Sequence, residues 1–175
     1  MDITADFFTS YDLPRSFVVD LTALRKTHHK LQHQFHPDRF MSEGQAEQRQ
    51  AVQVTAYLNL AYETLKEPLK RAIYLLQLND MDPLSPSNTS MPMDFLLQQI
   101  ELREVLEDIL AAADPEAQID AMSASLQAQA LQLENEFASA YGELSLGVAE
   151  TAVRKLQFIV KLQDQLSSLE DELFD

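Results

Sequence analysis

Residues Leu31–Phe40, LQHQFHPDRF, are where the fold is decided. The positions leading into them, Leu21, Leu24, His28, Leu31 and Phe35, recur at spacings of 3, 4, 3 and 4, one face of a helix. Asp20 stands just before the run, with a side-chain oxygen suited to capping the first free N–H groups. Pro37 has no N–H and forces the residue before it out of the helical region, so this helix is predicted to end near His36. The chain must then turn, with the His36 imidazole, the Asp38 carboxylate and Arg39 presented at the corner. Such a corner is too small for a ligand pocket and too polar for a core, which leaves a contact surface held rigid for a partner. Arg25, Lys26, His29, Lys30 and His33 fall mostly off the apolar face and give this helix a cationic outer side.

Beyond the corner, Ser42 is placed to cap a third helix through Leu65, with Ala51, Val54, Leu58, Ala61, Tyr62 and Leu65 on its apolar face. Two such helices joined by a short polar loop pair as an antiparallel hairpin. Phe7, Phe8, Tyr11 and Leu13, ahead of Pro14, predict a short first helix or turn tucked against it. Pro68 suits the first turn of a fourth helix running to about Asn79. Residues 80–93, DMDPLSPSNTSMPM, carry three prolines and no periodicity, and read as a linker.

Three more helices follow. Asp94 is expected to cap one that reaches Ala113, and Asp114-Pro115 to open the next, striped with Ile119, Met122, Leu126, Ala130, Leu133 and Phe137. Gly142 and Gly147 punctuate a turn. A last helix then carries Val148, Ala152, Ile159, Leu162, Leu166, Leu169 and Leu173 on one side. With no alternating runs, the fold is all-α: a helical hairpin module over residues 1–79, a linker over 80–93, and an antiparallel three-helix bundle over 94–175.

The 175 residues carry a net charge of −15, unevenly placed. Residues 1–79 hold 9 acids and 9 Lys+Arg, while residues 80–175 hold 19 acids against 4 Lys+Arg. Two modules with different partners fit this asymmetry, and nucleic acid does not, because phosphates need a basic footprint. There is no cysteine, which excludes disulfides, thiolate metal sites and a cysteine nucleophile. The 3 glycines, Gly44, Gly142 and Gly147, cannot write a glycine-rich phosphate loop. The acidic start MDITADFF differs from a basic signal sequence, and no apolar run is long enough to span a bilayer, so a cytoplasmic protein with no membrane partner is expected.

Two stretches could carry function besides the corner. His29 and His33 stand at i, i+4, which is metal-ligand spacing, and a metal-dependent helical hydrolase would use such a pair. The intervening Glu of H-E-x-x-H is missing, however, and His28 lies on the apolar face, where a core or boundary imidazole is the commoner reading. In the helix from Asp94, advancing about 100° per residue gathers Phe95, Leu102, Leu106 and Ile109 in one sector, with Val105 and Leu110 at its edges. Leu96, Leu97 and Ile100 fall outside that sector, and Phe158 sits at the edge of the last helix's stripe. Together they predict an apolar patch bordered by Glu101, Glu104, Glu107 and Asp108, which suits a partner with a basic rim. Packing of the same residues beneath 80–93 or against the first module is the alternative.

The corner with its flanks, including AYETLKEPLKRAIYLL at 61–76, resembles the J-domain, a four-helix module that docks on DnaK-type chaperones and stimulates their ATPase. That resemblance makes His36, Pro37 and Asp38 the stimulatory residues and Arg25, Lys26, Lys30 and Arg39 the docking cations. FLLQQIELRE at 95–104 and VRKLQFIVKL at 153–162 resemble the C-terminal domain of the HscB family, J-domain co-chaperones of iron–sulfur cluster assembly. The likeness spans essentially the whole chain. It implies that Leu96, Ile100 and Phe158, with Glu101 and Glu104, bind the scaffold protein IscU and present it to the chaperone HscA. Ile100 replaces a leucine of the family. The four-cysteine module of some eukaryotic relatives is absent from this cysteine-free chain. The resemblance implies a monomer with no catalysis and no cofactor of its own. A J-domain protein for another client would share the first half.

Overall fold

The computed structural model describes residues 2–85 and 91–174, so part of the expected linker, 86–90, lies outside the described residues. The chain divides into two compact units, Met1–Asn79 and Asp80–Asp175. Secondary structure among the described residues is helical, and none of these helices is long and apolar enough to cross a membrane.

In the first unit, α1 (Phe7–Ser10) is followed by α2 (Leu21–Phe35), α3 (Gln45–Lys66) and α4 (Pro68–Gln77). Asp20 caps α2, its carboxylate accepting from the N–H groups of Thr22 and Ala23 at 2.9 and 3.0 Å. Against α3, Leu24 and His28 are buried while Leu31 and Phe35 are half-buried. Leu21, expected on this face, is 49% exposed, because a step of about 100° per residue carries it roughly 50° off the buried line. The core is Phe8, Tyr11, Leu24, Val54, Leu58, Leu65, Leu75 and Leu76, each at most 2% exposed. Full burial of a side chain of this size is worth about 1.5–3 kcal/mol, which is what sets the hairpin.

Three polar contacts fix its register. The Tyr11 hydroxyl donates to the Leu58 carbonyl at 2.8 Å and therefore accepts from His28 Nδ1, also at 2.8 Å. His28 stacks on Tyr62 at 4.1 Å, so it is the core imidazole anticipated from its position. At the far end Arg71 is buried, donating to the Leu65 carbonyl left over at the end of α3, with its guanidinium 4.9 Å from the Phe17 ring.

Ser42 does not cap α3. Pro37–Phe40 folds as a 3-10 turn, and α3 starts later, with Gly44 at its N-cap position. The Gln48 amide reaches back to the Met41 and Glu43 carbonyls at 3.1 and 3.0 Å, tying the intervening residues onto α3.

The second unit contains α5 (Met93–Asp108), α6 (Pro115–Gly142) and α7 (Leu146–Phe174), a three-helix bundle. Asp94 is not the cap of α5. The helix opens two residues earlier, with Leu96 N–H bonded to the Pro92 carbonyl at 3.2 Å, and Asp94 lies in its first turn, where a carboxylate complements the helix dipole. Nor does α5 reach Ala113, because Ile109–Ala111 tightens into a 3-10 turn. Asp114 caps α6 through the Ala117 N–H at 3.1 Å, and all six residues of its expected stripe are buried.

On α7 the buried positions are Ala149, Ala152, Val153, Leu156, Ile159, Leu162 and Leu166. Val148, expected among them, is 61% exposed. The short turn brings the ends of α6 and α7 close, and there the small Ala140 and Ala149 are the buried side chains. Neither glycine makes that turn. Its left-handed residue is Leu144, at φ 57°, while Gly142 and Gly147 lie inside helices. Arg154, also buried, donates to the Pro83 carbonyl at 3.2 Å and to Glu150 at 2.9 Å, holding Pro83 against α7.

Candidate docking surfaces

The first surface is the corner after α2. His36 takes φ −58° and ψ 132°, the extended geometry that a following proline imposes. Its Nδ1 accepts the Asp38 N–H at 3.3 Å and lies 3.6 Å from an Asp38 carboxylate oxygen. With Nδ1 accepting, the neutral ring carries its proton on Nε2 and presents it as a donor. The Arg39 N–H bonds back to the His36 carbonyl at 3.0 Å, and Thr55 on α3 donates to the Phe35 carbonyl at 3.0 Å. The corner is therefore pinned from both sides while its functional groups remain open. The side chains of His36 and Asp38 are 54% and 77% exposed, Pro37 is half-buried and Arg39 is exposed.

Arg25, Lys26 and Lys30 are exposed on α2, and none makes an ion pair among the described residues. Arg39 lies 3.5 Å from His33 Nδ1, so the cationic side of α2 runs on into the corner. A guanidinium at that distance also opposes a metal ion at His33. Among the described residues no group of three or more His, Asp or Glu is placed to hold a metal.

The second surface is on the bundle. Phe95, Gln99 and Leu106 are the buried residues of α5, and Leu102 is half-buried. Outside that face Met93 is 70% exposed, and Leu97 and Ile100 are each 55% exposed. Leu96 is half-buried one turn before Ile100, and Glu101 and Glu104 are exposed beside them. Phe158 on α7 is half-buried, its ring edge-to-face with Phe95 at 5.9 Å. It also lines an open notch of about 200 Å³ with Gln99, Arg103, Lys161, Leu162, Asp164 and Gln165. Met93, Leu96, Leu97 and Ile100 thus form an apolar strip on α5 outside its buried face, and Phe158 lies half-buried on α7 against Phe95.

Sequence reasoning passed over Gln99. Its position four residues after Phe95 and three before Leu102 places an amide on the inward face of α5, and that was the available signal. The side chain is 7% exposed, and its Nε2 has no hydrogen-bond partner among the described residues.

An exposed His-Pro-Asp corner on a helical hairpin, followed by a three-helix unit with an apolar outer strip, defines an all-helical, two-unit protein with two candidate docking surfaces. Comparison with known proteins gives the family. The family model described as the HSCB C-terminal oligomerisation domain matches residues 91–167. The co-chaperone protein HscB of Proteus mirabilis (strain HI4320) is 36% identical over 170 residues, which is 97% of this chain and 98% of its own. Among solved structures, chaperone HscB from Vibrio cholerae superimposes with a TM-score of 0.87 at 35% identity, covering 97% of this chain and 99% of its own. Human co-chaperone HscB gives 0.89 at 27% identity, over 97% and 84%. The Jac1 co-chaperone from Saccharomyces cerevisiae shares the fold, with a TM-score of 0.73 at 20% identity over 93% and 97%. The chain belongs to the HscB family of co-chaperones.

Proposed function

We propose that this protein stimulates the ATPase of a DnaK-type chaperone, HscA, and delivers to it the iron–sulfur scaffold protein IscU. In this reading His36, Pro37 and Asp38 carry the stimulus, and Arg25, Lys26, Lys30 and Arg39 steer the first unit onto an acidic chaperone surface. Leu96, Ile100 and Phe158 anchor the scaffold, with Glu101 and Glu104 as a polar rim. Residues 1–79 act as the J-domain, 94–175 as the scaffold-binding bundle, and 80–93 as the link. The protein has no chemistry of its own: hydrolysis belongs to the chaperone and cluster ligation to the scaffold. Holding both partners raises the effective concentration of scaffold at the chaperone. The protein works as a monomer in the cytoplasm.

The observation that carries this reading is the apolar strip on α5, where Leu97 and Ile100 stay 55% exposed beside glutamates in a bundle that already has a full core. Exposed apolar surface rimmed by charge marks a partner site. The corner is tested with His36→Gln, which is expected to abolish stimulation of chaperone ATPase while scaffold affinity stays unchanged. Full stimulation by that variant would remove the J-domain assignment.

A further inference from the structure

Thr55 lies on the inward side of α3, between the buried Ala51 and Leu58, and is itself half-buried. A threonine inside a helix can donate its hydroxyl to the carbonyl one turn back, as Thr151 on α7 does to Gly147 at 3.0 Å. Thr55 instead reaches across to α2 and donates to the Phe35 carbonyl at 3.0 Å. In a continuing helix that carbonyl would accept the Arg39 N–H, but Pro37 ends the helix and the Arg39 N–H turns to the His36 carbonyl at 3.0 Å. Thr55 therefore supplies the bond that the helix has lost, on the peptide unit joining Phe35 to His36. Gln32 and Asn59 also bridge α2 and α3, at 3.0 Å, but through exposed side chains that leave the main chain unrestrained.

Packing gives the corner little support. Phe35 and Phe40, the half-buried residues that flank His36–Arg39, line a cavity of about 140 Å³ together with Ala51 and Val54. A gap of that kind offers no contacts to oppose a shift of the segment above it. Position is then set by hydrogen bonds. Beyond the corner Gln48 holds the Met41 and Glu43 carbonyls. Ahead of it the tie from α3 is Thr55, acting on the peptide that carries the His36 imidazole.

We infer that Thr55 is a positioning residue for the corner: by orienting the peptide before His36, it sets the direction in which the imidazole and the Asp38 carboxylate meet the chaperone. This rests on the reading of His36, Pro37 and Asp38 as the groups that stimulate chaperone ATPase. Docking is assigned to cations that stand mostly on α2, which this bond does not touch. Removing the Thr55 hydroxyl thus separates two properties: the protein still docks, but the docked complex hydrolyses ATP more slowly. Loss of folded protein has the opposite signature, because adding more of it restores the full rate.

Chaperone ATPase is measured against increasing concentrations of the full-length protein, so that maximal stimulation and the half-saturating concentration are read separately. Thr55→Val, close in shape but without the hydroxyl, is expected to lower the maximum about fivefold, the factor that one hydrogen bond gives to an orientation equilibrium. The half-saturating concentration stays within about twofold of the parent's. Thr55→Ser, which keeps the donor, restores the maximum. An unchanged maximum for Thr55→Val overturns the inference, whether or not the half-saturating concentration rises. So does a serine variant as poor as the valine one, since methyl packing would then be what matters. Thr55→Ala carries the same two outcomes if the valine variant does not fold. His36→Gln separates the two levels. If it is inactive while Thr55→Val matches the parent, the corner keeps its role and Thr55 loses its own. If His36→Gln stimulates fully, both readings fall.

Discussion

Replacing Ile100 by alanine isolates the strip from the fold. Ile100 keeps 55% of its surface open to solvent. Complete burial of an isoleucine side chain is worth about 1.5–3 kcal/mol, so a partner covering this one has roughly half of that left to gain. Alanine retains only Cβ, and the expected loss is about 1 kcal/mol, or about a fivefold rise in Kd. Stability should change little, since the better helix propensity of alanine offsets part of what the covered portion of the isoleucine side chain contributes. The aromatic candidate, Phe158, is a poorer probe. Phe158 packs edge-to-face on Phe95 at 5.9 Å, so its truncation also removes an aromatic pair worth about 0.5–1.5 kcal/mol and mixes folding with binding. Isothermal titration of the scaffold into Ile100→Ala, with the unfolding midpoint as control, makes the measurement. A Kd within twofold of the parent at unchanged stability would show that the strip is not where the scaffold sits.

The first unit should lose stability as pH falls. Burial, reinforced by the neighbouring His29 charge and opposed by Glu63, pulls His28 below its ordinary 6.5. The unfolded chain therefore binds the proton first, so the contribution is fully present well above pH 6.5 and drains away as pH falls through that value toward the folded one. His28→Phe should flatten that dependence between pH 7.5 and 5.0, and an unchanged slope would point to another group. In the second unit, Leu144→Gly relieves a left-handed leucine and should stabilise by about 0.5–1 kcal/mol, read from chemical denaturation. A loss of stability would mean that the Leu144 side chain does more than its 75% exposure suggests.

Much of this fold was legible because helical periodicity is strong where one face is buried. The α6 stripe from Ile119 to Phe137 and the caps at Asp20 and Asp114 follow from residue type and spacing alone. Helix starts were harder. Ser42 and Asp94 are good capping residues, yet the 3-10 turn after Pro37 and the early opening at Pro92 are settled by local hydrogen bonds that residue type does not specify. The turn before α7 misled for a related reason, since two glycines bracket it while tight helix–helix closure places a leucine in the left-handed position. Of the candidate surfaces, the corner could be read from one proline. The off-face positions of Leu97 and Ile100 could be read from angular arithmetic. Gln99 stayed hidden because a polar residue on an apolar face looks like a gap in the pattern, and only packing against α7 shows that it is buried.

The proposed function requires one molecule to engage two partners, one through each unit. Steady-state ATPase of the DnaK-type chaperone, measured with this protein in the presence and absence of scaffold, tests that most directly. The expected result is stimulation by the protein alone, a further increase with scaffold, loss of only that increase in Leu96→Ala/Ile100→Ala, and loss of all co-chaperone-dependent stimulation in His36→Gln. An undiminished scaffold-dependent increase in the strip variant would contradict the coupling of chaperone and scaffold through this protein.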